Sequence, residues 1–178
     1  TVTEIKYPVT KYPAKINSTK LDKTPIINGA FGLGIFTYDK LNDSNNKNGI
    51  YSIKLYIDSI ICYEFKVAEL DFSTSRYINA HMDYKEKKES RNKYHRCYKL
   101  PHNKLTNYSN LINEGIIAFN DNAIHSITLL VNNIAGNTST LSFKVQATNK
   151  PVTLIGPLPL DSTSVAFRLS NPNIFKTN

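Results

Sequence analysis

The chain has 178 residues, 40% hydrophobic and 20% charged, with eleven Tyr, eight Phe and no Trp; that is enough to bury one core without disulfides or metals, and too apolar for a disordered segment. No run approaches the roughly 20 apolar residues of a membrane-spanning helix, so no membrane span is expected, and Thr1 begins neither a Met start nor a signal pattern, so the chain reads as cut or processed from something longer. The net charge of +8 is local: residues 1–23 carry +3, residues 85–99 carry +5, and the remainder is neutral.

Residues 1–24, rich in Lys, Thr and Pro with Tyr7-Pro8 and Tyr12-Pro13, read as a linker or an edge strand. In the apolar stretch 25–38, Phe31, Leu33 and Ile35 share one face, while Gly32 and Gly34 lie on the other, where glycine signals a bulge or a close neighbour. Residues 39–49 are a polar loop by composition. Residues 49–67 alternate twice around Asp58-Ser59: Tyr51, Ile53, Leu55 and Ile57 point one way, then Ile61, Tyr63, Phe65 and Val67, which is the pattern of a half-buried hairpin with Cys62 on its polar face. A turn or helical cap over 71–75 leads into 76–84, where Ile78, Ala80, Met82 and Tyr84 alternate with polar residues and predict another strand. The charged segment 85–99 follows, then a loop or short helix over 101–113, a short strand over 115–119 and a turn at 120–122. Ile127, Leu129 and Val131 face inward on the next strand, and Leu141, Phe143 and Val145 return beside it after a loop containing Gly136-Asn137. Beyond Lys150-Pro151 the prolines suggest a linker before a strand-like 164–169.

About seven short strands in roughly 120 residues predict an all-β fold, an immunoglobulin-like antiparallel β-sandwich with irregular N- and C-terminal extensions. The expected organisation is 1–24 linker or edge strand, 25–148 sandwich, and 149–178 linker and the start of a following β segment. Cys62 and Cys97 allow one disulfide, which would tie a sheet to a loop, although two unpaired thiols are the plainer expectation.

Sites of chemistry are scarce. No two of His81, His95, His102 and His125 have the spacing of a metal-binding pair, no Gly-x-Ser-x-Gly elbow or phosphate loop is present, and no catalytic residue, metal or cofactor is assigned. His81 and Asp83 share a parity that reads as a solvated polar face, and His125 reads as a partly buried strand-end residue. In the basic segment, Lys87, Lys88, Arg91, Lys93 and Arg96 mix with Tyr94, His95 and Tyr98, a composition that grips a polyanion such as a cell-wall polymer, carbohydrate or nucleic acid. The plainer reading is a charged hairpin extension that keeps a strand edge soluble. Arg76, Asn79 and Asp83 are candidates for a structural polar network beside the hairpin.

The residues also carry an order. Asn48-Gly49-Ile50-Tyr51-Ser52 with the hairpin behind it, Arg76-Tyr77-Ile78-Asn79-Ala80-His81-Met82-Asp83-Tyr84, Tyr98-Lys99-Leu100-Pro101, Asn103-Lys104-Leu105, His125-Ser126-Ile127 and Gly136-Asn137 through Val145 follow one another in a sequence that resembles the non-catalytic β-sandwich segment following the peptidase domain in lysostaphin-like zinc metallopeptidase family proteins. The resemblance covers residues 5–147. It implies an accessory domain with a structural or substrate-positioning role, at the cell envelope and periplasmic or secreted. The implied partners are an adjacent peptidase domain of the same polypeptide and peptidoglycan or another anionic polymer. The family's zinc ligands, a His-x-x-x-Asp pair and a His-x-His pair, do not occur here, so no catalytic residue carries over, and Asp58-Ser59 replaces the Asp-Gly expected at the hairpin. The alternative is an independent adhesion or binding module that uses the basic insert.

Overall fold

A computed structural model describes residues 9–11, 18–21, 24–40 and 47–149. In chain order the strands are β1 (Val9–Lys11), β2 (Ser18–Leu21), β3 (Ile26–Ile27), β4 (Gly34–Phe36), β5 (Asp39–Lys40), β6 (Lys47–Asn48), β7 (Ser52–Ile57), β8 (Ile60–Lys66), β9 (Tyr94–Arg96), β10 (Tyr108–Ser109), β11 (Ile124–Asn132) and β12 (Thr138–Ala147). Two short helices, α1 (Ile78–His81) and α2 (Tyr84–Ser90), interrupt them, and a 3-10 turn over Ser75–Tyr77 leads into α1. The protein is mostly β with few helices. The expected linker and β segment over 150–178 lie outside the described residues.

The β7–β8 hairpin turns on Asp58 and Ser59, with φ of 47° and 71°. Two positive φ values make the turn whose twist matches the flanking strands, a conformation that normally selects glycine. Asp58 holds it without glycine because its carboxylate accepts the Ser126 N–H at 2.8 Å and contacts the His125 ring, while its own N–H donates to the Ser126 carbonyl. Leu55 pairs with Tyr63 but Tyr56 pairs with Ile61, so Cys62 is the extra residue of a β-bulge. The bulge overturns the simple alternation. Cys62 is buried rather than on the polar face, its Sγ within 3.5 Å of the Leu55 carbonyl, and Ile61 joins Tyr56 on the outer face.

The largest sheet has the order β1-β2-β12-β11-β7-β8-β10, with β3 also on β12. It is mixed rather than purely antiparallel, because β2 and β3 both run parallel to β12 along the same edge. One face presents Ile53, Leu55, Tyr63, Phe65, Ile127, Leu129, Leu141 and Val145, fully or nearly fully buried. Each such side chain contributes about 1.5–3 kcal/mol of apolar burial. Against it lie Phe31, Leu33, Ile35, Cys97, Leu105 and Ile117, joined by the antiparallel pair β4–β9 and by the Phe31–Ile117 bridge. That bridge is all that forms of the strand expected over 115–119. The glycine reasoning holds at Gly32, where an added Cβ would meet the Tyr98 ring at 2.6 Å.

Two further expectations change. The polar loop 39–49 pairs at its ends as β5–β6. Residues 76–81 are helical rather than a strand, and of the expected strand only extended Met82 bridges His95 before α2 begins: Asp71 caps Ser73 through its carboxylate, Thr74 N–H donates to the Asp71 carbonyl, and the chain coils directly into Ser75–Tyr77 and α1. Tyr77 and Ile78, four and three residues before His81, then turn with it to the core.

Candidate functional site: a buried histidine–tyrosine network

α1 ends on His81, which is fully buried with its ring stacked on Phe65 of β8 at 3.8 Å. His95, central in β9, pairs across to Ile35 and bridges Met82, which turns its ring toward the same spot. His81 Nε2 lies 3.0 Å from His95 Nδ1, and His81 Nδ1 lies 3.2 Å from the Tyr108 hydroxyl. Asn103 Nδ2 donates to that hydroxyl at 3.1 Å, and Asn103 Oδ1 accepts the Leu105 N–H.

The contacts accommodate a relay of protons: Asn103 donates to Tyr108, the Tyr108 hydroxyl donates onward to His81 Nδ1, and His81 Nε2–H donates to His95 Nδ1. In this relay both rings are neutral, with the proton on Nε2. Burial holds His81 well below the ordinary imidazole range, and the neighbouring His95 and Arg96 add to the effect. Burial, followed by the charge of Lys93, brings His95 down to about 4. Burial likewise raises the Tyr63 and Tyr108 phenols, so they are un-ionised.

Arg96 frames the network. Its Nη1 donates to the Ala80 and Met82 carbonyls at 3.0 and 2.9 Å, satisfying the end of α1, and its Nη2 lies 3.5 Å from Asp83 Oδ1. Its own carbonyl accepts the Tyr63 hydroxyl at 2.9 Å. Arg96 is therefore half-buried and structural, which separates it from the other cations proposed to meet a polyanion. Lys88, Arg91 and Lys93 are exposed and Lys87 is partly so, on α2 and the turn behind it. The segment is not a charged hairpin extension, for Tyr94, His95 and Cys97 are in the interior. Of the expected network of Arg76, Asn79 and Asp83, the structure places Asp83 with Arg96, and leaves Arg76 and Asn79 exposed. The solvated face expected for His81 and Asp83 is instead buried, because the chain is helical up to His81 and parity no longer sorts its residues.

A second histidine site has the opposite chemistry. His125 Nδ1 is 2.6 Å from Asp58 Oδ2 and Nε2 is 2.9 Å from Asp121 Oδ1, with the ring flat against Phe119 at 3.7 Å. Ionised carboxylates only accept, so this pair of contacts favours a ring protonated on both nitrogens, an imidazolium. The hydrogen bond from His125 lowers the Asp58 and Asp121 carboxyls. Burial opposes the charge on His125, but the two carboxylates outweigh it and raise the imidazole above its usual value.

Cys62 and Cys97 are both buried free thiols. Burial pushes Cys62 up to about 11 and Cys97 higher still. Among the described residues, no three His, Cys, Asp or Glu side chains are grouped to hold a metal ion, and no helix is long and apolar enough to cross a membrane. His95, Tyr108 and Asn103 escaped the sequence reading as partners of His81, since 13 or more residues separate His81 from each and no local pattern joins them. Compared with models of protein families, with curated proteins and with solved structures, the chain matches none.

Proposed function

We propose that this chain is a non-catalytic accessory domain of a cell-envelope metallopeptidase homologue, periplasmic or secreted, which holds or positions rather than cleaves. In this reading the large sheet and the β4–β9 layer form an immunoglobulin-like sandwich. The adjacent peptidase domain is its covalent partner, and peptidoglycan cross-links are the parent protein's substrate. The observation that carries the reading is where the family-like residues go. His81, Asp83, Asn103 and Leu105, from segments 76–84 and 103–105, are all buried, and their contacts are internal: His81 with His95 and Tyr108, Asp83 with Arg96, and Asn103 with Tyr108 and Leu105. An ordered signature spent on internal contacts suits a scaffold. Digestion of cross-linked muropeptides tests it: the isolated chain with added zinc is expected to release no product, and turnover would overturn the proposal.

A second reading is supported by the exposure of Lys88, Arg91 and Lys93 beside partly exposed Lys87. Here the chain is an adhesion or binding module that meets an anionic cell-wall polymer, carbohydrate or nucleic acid. Binding should weaken steeply with salt and be lost on replacing these four residues by Ala. Arg96 does not belong in that test, since its loss would act on the fold.

A further inference from the structure

The His81–His95 hydrogen bond joins two elements that the backbone alone holds weakly. His81 ends the short α1, whereas His95 belongs to the small sheet, and the Phe65 stack and Tyr108 bond attach the same imidazole to β8 and β10 of the large one. The three hydrogen bonds of the chain Asn103–Tyr108–His81–His95 use each donor between these side chains once while both rings are neutral. A proton added at His95 Nδ1 sets N–H against N–H across 3.0 Å. One added at His81 Nδ1 turns back the Tyr108 proton, whose oxygen already receives Asn103. Either addition leaves one O–H or N–H of the network without an acceptor inside it, between rings that are 0% and 5% exposed.

The charges around the pair do not offset a proton. Arg96 on β9, Lys93 before it and Lys99 over the Tyr108 ring at 5.7 Å are cations. Tyr63 and Tyr108 are neutral phenols and Cys97 a neutral thiol. Glu64 of β8 engages Lys54, Ser109 and Asn110 on the outer face. α2 adds Lys85, Lys87, Lys88 and Glu89 at exposed or partly exposed positions. Asp83 is the near anion, and it is matched to Arg96. The helical segment has modest apolar anchorage, in half-buried Tyr77 and Ile78, while β7, β8, β11 and β12 bury side chains on every strand. Local opening follows the least-buried element.

We propose that the His81–His95 pair is an acid-sensitive latch: acidification releases the helical segment 75–90 from both sheets while β7, β8, β11 and β12 stay paired. In the released segment His81 regains ordinary imidazole behaviour, and with its partner gone His95 does too. Opening is thus favoured about tenfold per pH unit for each proton taken up, from near 6.5 down toward the folded value of about 4 for His95.

Hydrogen exchange of the whole chain tests the latch. The Met82, Asp83 and Lys87 amides donate to Ile78, Tyr94 and Asp83 carbonyls within or beside the segment. After correction for intrinsic rates, their protection is expected to fall about tenfold per pH unit for each proton taken up, up to about a hundredfold with both rings, below about pH 6.5, while the β11 and β12 amides keep theirs. Constant protection down to about pH 4.5, or loss in step with β11 and β12, overturns the proposal. Tyr108→Phe removes the donor to His81 Nδ1 and frees that nitrogen for a proton, so release should move to higher pH; an unmoved midpoint also overturns it. Nitrogen-15 imidazole spectra near neutral pH should show His81 and His95 as Nε2–H tautomers, and an Nδ1–H on His95 contradicts the relay.

Discussion

Replacing Arg96 by Met keeps the aliphatic stem and removes the guanidinium. Two charge-assisted bonds to the Ala80 and Met82 carbonyls go with it, each contributing about 1.5 kcal/mol net. Asp83, only 2% exposed, loses its cation as well. Breaking a buried pair from one side costs about 3–5 kcal/mol in total, and the two carbonyl bonds fall within that range because the same head group makes all three contacts. For a chain of this size the melting temperature should fall by about 6–20 °C. Urea unfolding followed by circular dichroism reads the loss directly, with the m-value unchanged. Adding Asp83→Asn removes the buried carboxylate that faced Arg96 and should recover about 1 kcal/mol or more of the single-variant loss. Arg96→Met within about 1 kcal/mol of wild type refutes the structural assignment, as does a double variant whose loss equals the sum of the singles. Lys88→Ala and Lys93→Ala supply the contrast: stability should stay within about 0.5 kcal/mol whether or not anion binding changes.

Other outcomes follow from the same contacts. Because the folded His125 imidazole is raised, its contribution to stability is present below about 6.5 and lost as pH rises through the folded value. Asp58 and Asp121 are lowered, so theirs is present above about 3.8 and lost as pH falls through the folded values. The stability difference between wild type and Asp58→Asn should therefore peak between those limits and shrink in alkali; a difference flat with pH contradicts a charged His125. Gly32→Ala forces a methyl to within 2.6 Å of the Tyr98 ring and should cost about 1–3 kcal/mol by thermal unfolding, and no loss would mean the ring yields freely. Cys62 and Cys97 should resist an aromatic disulfide reagent at about pH 8 in the native state and react in denaturant, because burial raises both thiols. Rapid native labelling of either would show the site to be open.

The strands whose two faces differ were legible. Ile127, Leu129 and Val131 against Leu141, Phe143 and Val145 pair as β11–β12 around the Gly136 turn, and Asp58-Ser59 turns the hairpin. Alternation carries this information because one sheet face is buried. It failed at Cys62, where a bulge shifts the phase by one residue, and at 76–84, where a period of two and the helical spacing of Tyr77, Ile78 and His81 coexist in one short stretch. The parallel pairing of β2 and β3 with β12 was not legible either. It joins residues more than 100 positions apart, and no local pattern records that choice.

The histidines show why the site was harder to read than the fold. His81 and His125 look alike in sequence, each near an Asp, yet the surroundings of one favour the neutral ring and those of the other the charged ring. The difference lies in what the second ring nitrogen meets: His95 and Tyr108 offer a matched donor and acceptor, whereas Asp58 and Asp121 offer two acceptors. Only folding decides that, since Asp58 reaches His125 across 67 residues and Asp83 turns to Arg96 instead of to its near neighbour. An Asp two residues from a histidine is thus no guide to its charge. The two sites should push stability in opposite directions with pH, because protons leave His81 and His95 on folding and are retained by His125. Acid weakens the buried pair and alkali weakens the surface clamp, so the chain should be most stable at mildly acidic to neutral pH, with the helical segment giving way first on the acid side.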